Sequence, residues 1–539
     1  MRNWKRFAAL LLTLCTLVSV LAGCAATEDK KETLRVSLPT APAALDPARV
    51  VTDTERIVVT HLYENLMKLT RDGTSENTIV ANGVARAYKC EENLDGTQTY
   101  TFKLREGVRW SDGKGLVAAD FVYAWRRLAD PDTGSPNAAL LNMVAGYDSV
   151  RSSGNSDYLQ VSAPDDRTFV VTLAHRCTYF IDRICTAAAT MPVRSDVAEK
   201  ENWAADVATL RTNGAYRVTA WNEDGSIVAE AQEHYYDLNR LGPDVLELRF
   251  HDDTATAEKR LKDGEADFIL GMSDAGVDPK DKDWVANHYP EVGMLVVNQM
   301  AGSLASEELR LAMSMVIDRH AVVEAMGTLR YCAADGLLPH GITGSNGADI
   351  RLSDTNPVLD NFPGHYEAVC RKAKELLGSK KSWDDVVINL AYVEGDTNKA
   401  VVDGLVKTWQ KQLGVTVTPV AMSAADLNTA LRHGDFAMAM VTQHSSLGDA
   451  DGFLKPWRSG NYANINNNAY DLLLRISDVS SGAVARDAYL LDAERMLLES
   501  GYVMPLWFGN SVYQLDKKLT GICNDGTGRY IFTSVTKKN

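Results

Sequence analysis

The amino-acid sequence predicts a mixed α/β protein with more than one lobe, and three observations support this prediction. The chain has 539 residues, far more than one hydrophobic core usually holds, so it should divide into two or three lobes. Residues 386–392 and 414–417 read as strands, and residues 398–413 between them read as a helix. That strand–helix–strand order implies a lobe with a parallel sheet component. A hydrophobic content of 45%, with 10 Trp, is ample for such cores.

The first 23 residues read as a signal peptide. Three cations precede an apolar run at residues 7–20, which is too short and wrongly flanked for a stable transmembrane helix. The run ends in Leu-Ala-Gly followed by Cys24, which matches the bacterial lipoprotein signal. We expect Cys24 to be lipidated after cleavage of residues 1–23, with residues 24–33 as a leash that tethers a soluble body to the membrane. The alternative is an ordinary signal peptide with an incidental cysteine.

The charge of the chain excludes several classes of partner. Cleavage after residue 23 removes three cations and no anions, which takes the formal net charge from −15 to about −18. Such an acidic body argues against nucleic acid binding and against a basic membrane-binding face. Beyond the signal peptide, the sequence contains no apolar run of transmembrane length.

Cysteine and motif patterns argue against an enzyme. The six cysteines that follow Cys24 show no C-x-x-C spacing, which excludes zinc ribbons and thioredoxin-like chemistry. Residues 178–189 read as an apolar helix, on which Cys177 and Cys185 would lie about 12 Å apart, too far for a disulfide. Free, buried thiols are therefore expected. No G-x-S-x-G, H-E-x-x-H or P-loop motif occurs, and the histidines are scattered. We therefore expect no catalytic residues, no metal and no cofactor.

Residues 102–136 contain signals for a strand, turns and a helix in close succession. An alternating strand breaks into turns, the second of which follows Trp110, and a helix should then begin with Asp120 as its N-cap. The helix should end at an Asp-Pro pair that begins at residue 130. Its apolar positions are Phe121, Ala124, Trp125 and Leu128. Spacing of three and four residues places these side chains on one face, so they should belong to the core.

Position for position, residues 110–113 and 118–125 resemble the signature of the extracytoplasmic solute-binding proteins of oligopeptide ABC importers. In that family a W-S-D-G turn leads into a T-A-x-D-F-V-Y-A-W helix. Further blocks that resemble the family, among them N-G-A-Y and G-E-x-D, lie at residues 61–66, 213–216, 264–267, 307–319 and 501–515. Each residue also has an ordinary structural role, so the resemblance identifies the family and not the ligand.

The resemblance implies a two-lobed, periplasmic-binding-protein-like (Venus-flytrap) α/β fold with an additional inserted lobe. It implies that lobe I collects residues 34–64, 207–298 and 505–539. Lobe II, the inserted lobe, would be residues 65–206, and lobe III would be residues 299–504.

The resemblance also implies a function without catalysis. A lipid-anchored, monomeric receptor would capture oligopeptides outside the membrane and deliver them to an ABC permease and its ATPase subunits. Two alternatives remain open at this stage. The same fold could bind a different small solute, or it could sense peptides for signalling without transport.

The ligand site is where the match to the family weakens. The resemblance implies a peptide held between the lobes, with its free amine bound by an aspartate. Ungapped alignment on residues 453–454 places Gln443 at the family's tryptophan and Ser446 at its amine-binding aspartate. Asp449 and Asp451 are the acids left in this loop, and we expect Asp449 to be the better amine ligand if the loop is shifted. The alternative for both aspartates is an ordinary structural role in a solvated turn.

Three further positions complete the predicted ligand site. His444 lies next to Gln443 in the same segment. Asn137 and Ala424 stand where the resemblance implies two aromatic side chains. The amine-binding arrangement is therefore incomplete in this sequence, and a peptide held by its backbone alone is the alternative.

Overall fold

The computed structural model describes residues 31–73, 78–272, 277–278, 280–344, 349–354, 357–378, 386–480 and 482–538. Strands and helices alternate through most of this part of the chain, which confirms the α/β prediction. The strands are β1 Thr33–Pro39, β2 Met67–Arg71, β3 Thr78–Asn82, β4 Ala85–Glu92, β5 Gln98–Leu104, β6 Val161–Asp165, β7 Thr168–Leu173, β8 Tyr216–Trp221, β9 Ile227–Ala231, β10 Val245–His251, β11 Phe268–Leu270, β12 Val285–Val297, β13 Tyr331–Ala333, β14 Ile388–Val393, β15 Val417–Met422, β16 Met438–His444, β17 Val503–Leu515, β18 Leu519–Thr520, β19 Cys523–Asn524, β20 Tyr530–Ile531 and β21 Thr536–Lys537. The α-helices are α1 Asp53–Leu62, α2 Ala118–Ala129, α3 Tyr147–Ser153, α4 Ser195–Ala198, α5 Thr254–Lys262, α6 Glu307–Met315, α7 Arg319–Met326, α8 Tyr366–Leu376, α9 Asp396–Leu413, α10 Ala424–His433, α11 Asp451–Leu454, α12 Asn468–Val479 and α13 Ala483–Ser500.

One large sheet runs through the molecule in the order β15-β14-β16-β12-β17-β11-β1-β10-β9-β8, with β13 paired to β17. The β1–β10 and β14–β15 pairs are parallel, and the helix α9 connects β14 to β15 as the sequence predicts. The two central strands, β12 and β17, are antiparallel and 13 residues long. A separate four-stranded sheet has the order β4-β5-β7-β6.

The hydrophobic core is divided along this sheet. One cluster joins side chains from residues 34–270 to side chains from residues 513–535. Two other clusters cover the faces of the sheet among residues 292–508. All but the last residue of β17 are buried, as expected for a strand covered on both faces. The long strands β12 and β17 therefore link the part of the sheet around β1 to the part around β14.

The structure confirms the core role of the 102–136 segment. Trp110, Phe121 and Trp125 are fully buried, and Trp125 packs edge-on against Phe169. The predicted N-cap is wrong, because α2 begins two residues before Asp120. The Asp120 carboxylate instead accepts hydrogen bonds from the Val117 backbone N–H at 3.1 Å and from Trp110 Nε1 at 3.0 Å. An acid at the third helical position thus caps the helix from inside.

The predicted helix over residues 178–189 is also wrong. The chain forms a π-helical turn at Phe180–Ile184 and a 3₁₀ turn at Ala188–Thr190. Side-chain hydrogen bonds hold two carbonyls of this segment, of which a continuous helix would use only that of Ile184. Thr190 Oγ1 donates to the Ile184 carbonyl at 2.5 Å, and Asn65 Nδ2 donates to the Ala187 carbonyl at 2.9 Å.

The cysteine prediction holds for disulfide formation. All six cysteines in the described part of the chain are free, so Cys177 and Cys185 form no bond, although the helix assumed between them is absent. Burial is less uniform than expected, because Cys90 is exposed and Cys332 is half-buried.

Candidate functional site

The loop between β16 and α11 lies where three distant parts of the chain meet. Gly448, in this loop, has a φ of +64°. A Cβ atom added to Gly448 would lie 2.7 Å from Thr527 Cγ2 and 3.2 Å from Arg183 Nη1. Glycine is needed here because both the left-handed backbone and the close approach exclude a side chain. The loop is thus held against the turn at Phe180–Ile184 and the C-terminal segment.

Two cavities open on this junction, and they bring together three of the predicted ligand residues. A cavity of about 460 Å³ is lined by Asn137, Ser446 and Asp451, together with Tyr179 and Lys455. A smaller space of about 40 Å³ is again lined by Asn137 and Ser446. Ser446 is exposed, whereas Asn137 is half-buried and donates from Nδ2 to the Val50 carbonyl at 2.7 Å. The junction is therefore the candidate ligand site.

Asp449 lies at the junction with its carboxylate already engaged. Only 4% of its surface is exposed. Arg486 of α13 binds it with two nitrogens, at 2.6 Å from Nη2 to Oδ1 and 3.1 Å from Nη1 to Oδ2. Its Oδ1 also accepts the Asp451 backbone N–H at 2.9 Å. The predicted solvated turn is wrong for Asp449, because α13 covers it. An ammonium bound by Asp449 must compete with Arg486 for the same oxygens.

Asp451 is equally buried and lies in the same cluster. Its Oδ2 is 2.7 Å from Lys455 Nζ and 3.2 Å from Arg486 Nη2. Burial acts to raise the pKa of Asp451, but Lys455 and Arg486 outweigh it and hold that pKa below its ordinary value. Burial likewise opposes the charge of Arg486, yet the two carboxylates raise its pKa. The solvated-turn prediction is wrong for Asp451 as well.

The remaining predicted residues lie outside the two junction cavities. Gln443 and His444 line another cavity, of about 530 Å³. Gln443 Nε2 donates to the Gly452 and Phe453 carbonyls at 3.0 and 3.1 Å, so it fastens β16 to α11. His444 is exposed and stacks on Tyr289 at 5.0 Å between ring centroids. Ala424 is the exposed first residue of α10 and lines none of these cavities.

The side of the junction opposite Asp449 is basic. Arg183, Arg529 and Arg56 line the smaller cavity. Arg529 pairs with Asp525 at 2.8 Å between Nη2 and Oδ2 and donates from Nη1 to the Thr186 carbonyl at 2.7 Å. Arg56 forms an ion pair with Asp53. In the described residues, the guanidinium of Arg183 makes no hydrogen bond or ion pair.

A second polar cavity, also of about 530 Å³, lies away from this loop. Glu64 is buried there and accepts hydrogen bonds from the hydroxyls of Tyr235 and Tyr236. Burial raises the pKa of Glu64, against the opposing effect of Lys68 and the tyrosine hydroxyls. Lys68 is in turn paired with Asp237 at 2.8 Å. Glu64, Lys68 and Asp237 thus have partners within this cavity, whereas Arg105 donates from Nε to the Gly83 carbonyl at 2.7 Å and Arg529 pairs with Asp525.

Three residues that shape the junction could not be predicted from the sequence. Arg183, Arg486 and Tyr179 belong to no motif, and the groups they lie against are distant in sequence. The Arg486 guanidinium lies 5.3 Å from the centroid of the Tyr179 ring, so α13 also contacts the other side of the junction. Only a three-dimensional arrangement could reveal these pairs.

The described residues contain neither a metal-binding cluster nor a membrane-spanning helix. No group of three or more His, Cys, Asp or Glu residues is arranged to hold a metal ion. No helix in these ranges has both the length and the apolar content to cross a membrane. Cys24 and the predicted signal peptide lie outside the described residues.

The amino-acid sequence is similar to a family of known proteins along most of its length. Residues 81–464 match the model for the middle region of bacterial extracellular solute-binding proteins, family 5. The chain therefore belongs to this family of extracytoplasmic solute-binding proteins. It is 27% identical over 519 residues to the oligopeptide-binding protein OppA of Bacillus subtilis (strain 168), covering 93% of this chain and 92% of OppA. It is also 27% identical over 547 residues to the dipeptide-binding protein DppE of the same strain, covering 96% of each chain.

Solved structures confirm the predicted fold class. The structure is similar to the unliganded open form of the periplasmic murein tripeptide-binding protein MppA, with a TM-score of 0.80 and 23% identity. That match covers 95% of this chain and 98% of MppA. The fold is thus the two-lobed, periplasmic-binding-protein-like α/β fold with an added lobe.

Proposed function

We propose that this protein captures oligopeptides outside the membrane and delivers them to an ABC permease. The observation that supports the proposal is its end-to-end similarity to an oligopeptide-binding and a dipeptide-binding protein. The junction cavities provide space for a ligand between distant parts of the chain. Ligand binding would favour a closed arrangement of the lobes, which the permease then recognises, while other subunits hydrolyse ATP.

Peptide capture is tested with the purified body and a defined library of short peptides. Native mass spectrometry should find bound peptides, and small-angle scattering should give a smaller radius of gyration with a captured peptide than without it. A library from which nothing is captured would rule out the peptide function. Unchanged scattering at saturating peptide would rule out closure of the lobes.

The division into lobes stays part of this proposal. Lobe I would collect residues 34–64, 207–298 and 505–539, with lobe II at residues 65–206 and lobe III at residues 299–504. The paired strands β12 and β17 support it, because they are the long connections between the two parts of the sheet. Chain crossings near residues 298 and 505 would then act as the hinge.

Anchoring through Cys24 is a further part of the proposal, supported by the Leu-Ala-Gly-Cys sequence. Changing Cys24 to Ser should release the body into the medium or leave an unprocessed precursor. Normally cleaved, membrane-bound protein from Cys24→Ser would rule the lipid anchor out.

The ligand contacts predicted from the sequence are also part of the proposal. Asn137, Ser446 and Asp451 have support from their shared cavity. Amine binding by Asp449 is tested by calorimetry with a peptide in free and N-acetylated form against wild type and Asp449→Asn. Non-additive losses of about tenfold or more from acetylation and from the mutation would support it. No effect of acetylation would exclude it.

A further inference from the structure

The junction carries an imbalance of charge that the predicted amine site does not explain. On the basic side, Asp525 is paired with Arg529, and Asp53 is paired with Arg56. On the loop side, Asp449 and Asp451 are paired with Arg486 and Lys455, as described above. Arg183 is the cation left over, half-buried against Gly448. Its charge acts to lower the pKa of the exposed Asp182 and of Asp525, which Arg529 already binds, but Arg183 forms no ion pair with either carboxylate in the described part of the chain.

The surroundings of Arg183 are positive as well as partly desolvated. Arg529 and Arg56 line the same small cavity, and Arg56 Nε is buried without a hydrogen-bond partner among the described residues. Burial lowers the pKa of Arg56 and the charge of Arg529 lowers it further, against the opposing effects of Tyr289 and Asp525. A group that completes this site should therefore be an anion.

The position of the site matters for the ligand. Ser446 is where the resemblance places an amine-binding aspartate, yet Ser446 is uncharged and shares its cavity with Arg183. An ammonium placed there would face a like charge without a free carboxylate. A carboxylate there would receive charge-assisted hydrogen bonds from a guanidinium, which are stronger than neutral ones.

We propose that Arg183 binds a carboxylate of the ligand at this junction, so that the protein recognises its ligand there by a carboxylate instead of by a free amine. This inference rests on the proposed function. The carboxylate comes either from an Asp or Glu side chain or from the C-terminus of the peptide. The guanidinium geometry suits both sources, because Arg presents a planar fork of donors.

The test uses a defined tripeptide library built from Ala, Gln, Glu and Lys, with each member as free acid and as C-terminal amide. Bound peptides are quantified by native mass spectrometry for wild type, Arg183→Gln, Arg183→Lys and Arg183→Glu. Wild type should enrich carboxylate-bearing members about tenfold over their neutral counterparts. Preference for Glu over Gln identifies a side-chain carboxylate, and preference for acid over amide identifies the C-terminus.

The variants separate ligand recognition from a structural role. Arg183→Gln should lose the preference and bind carboxylate-bearing peptides about tenfold more weakly than wild type. Arg183→Lys should keep part of the preference, and Arg183→Glu should favour Lys-containing peptides. Folding of each variant is checked by thermal unfolding. Capture without any charge preference in wild type, or an unchanged preference in Arg183→Gln, would overturn this inference alone. Capture of no peptide at all would overturn the peptide function together with it.

Discussion

Two acids in the molecule, Asp120 in the first turn of α2 and Asp449 two residues before α11, both lie near a helix N-terminus but are stabilised differently. Asp120 is half-buried and accepts hydrogen bonds from two neutral N–H groups, those of Trp110 and Val117. Burial raises the pKa of Asp120 against these bonds. Asp449 is almost fully buried and bound by the Arg486 guanidinium.

The difference lies in what each acid requires of the rest of the chain. The partners of Asp120 are ten and three residues away, so the segment satisfies its own carboxylate. The partner of Asp449 is 37 residues away, on a different helix. Asp449 therefore ties the loop to α13, and a ligand that claimed its oxygens would have to loosen that contact. The local pair supports the fold, whereas the distant pair couples the fold to the candidate site.

The largest effect should come from Arg486→Met. The substitution leaves Asp449 without its guanidinium and removes one of the two cations beside Asp451, and breaking a buried ion pair from one side costs about 3–5 kcal/mol of unfolding free energy. Urea denaturation monitored by tryptophan fluorescence measures this loss.

Two controls sharpen that result. Arg432→Met on the exposed face of α10 should leave stability almost unchanged. The double variant Asp449→Asn/Arg486→Met should be less destabilised than the two single changes added together, because the orphaned charge is removed. Additive losses would mean that the two side chains are not coupled.

A smaller effect is expected from pH. The folded pKa of Asp451 lies below its ordinary value, so its ion pairs stabilise the fold above about pH 4, and that stability is lost as the pH falls through the folded pKa. Asp120 acts in the opposite sense. Its folded pKa is raised, so ionisation costs stability at neutral pH and the cost disappears in acid.

Unfolding free energies measured between neutral pH and about pH 3 check both signs. Asp451→Asn should flatten the loss of stability in acid, and Asp120→Asn should steepen it slightly. Identical pH profiles for wild type and Asp451→Asn would show that the ion pairs of Asp451 contribute nothing to acid sensitivity.

The smallest effect should come from Asp120→Asn at neutral pH. Both N–H groups donate to Oδ2 of Asp120, and the amide oxygen of Asn can take its place without the charge. The expected loss is therefore about 1 kcal/mol, since hydrogen bonds to charged groups are stronger than neutral ones. Thermal unfolding measures it, with Asp132→Asn on the exposed turn that follows α2 as the matched control. A loss as large as that for Arg486→Met would contradict the distinction between the local and the distant acid.

The same distinction explains how far the sequence could predict the structure. The core side chains Trp110 and Trp125 and the parallel pair β14–β15 follow from local patterns, and the structure confirms them. Asn137 and Ser446 were predicted as ligand contacts through the resemblance, and they line the same two cavities.

The missed features depend on partners far along the chain. The helix predicted over residues 178–189 is absent, and Asn65, more than a hundred residues away, holds the Ala187 carbonyl near the end of that segment. Arg486 and Arg183 escaped notice because an arginine in a helix or a turn looks like an ordinary surface residue until its neighbours in space are known. A single sequence carries no record of such pairs.

The position of β17 has a consequence for how the protein is made. This strand comes last among the major strands but lies in the interior of the sheet, between β12 and β11. Until residue 515 leaves the ribosome or the export channel, β12 and β11 each have one edge whose backbone N–H and C=O groups are unpaired. Such edges can pair with strands of other chains. The large sheet can therefore close only after synthesis is nearly complete, and during that interval the unfinished chain depends on a chaperone or on rapid export to stay free of aggregation.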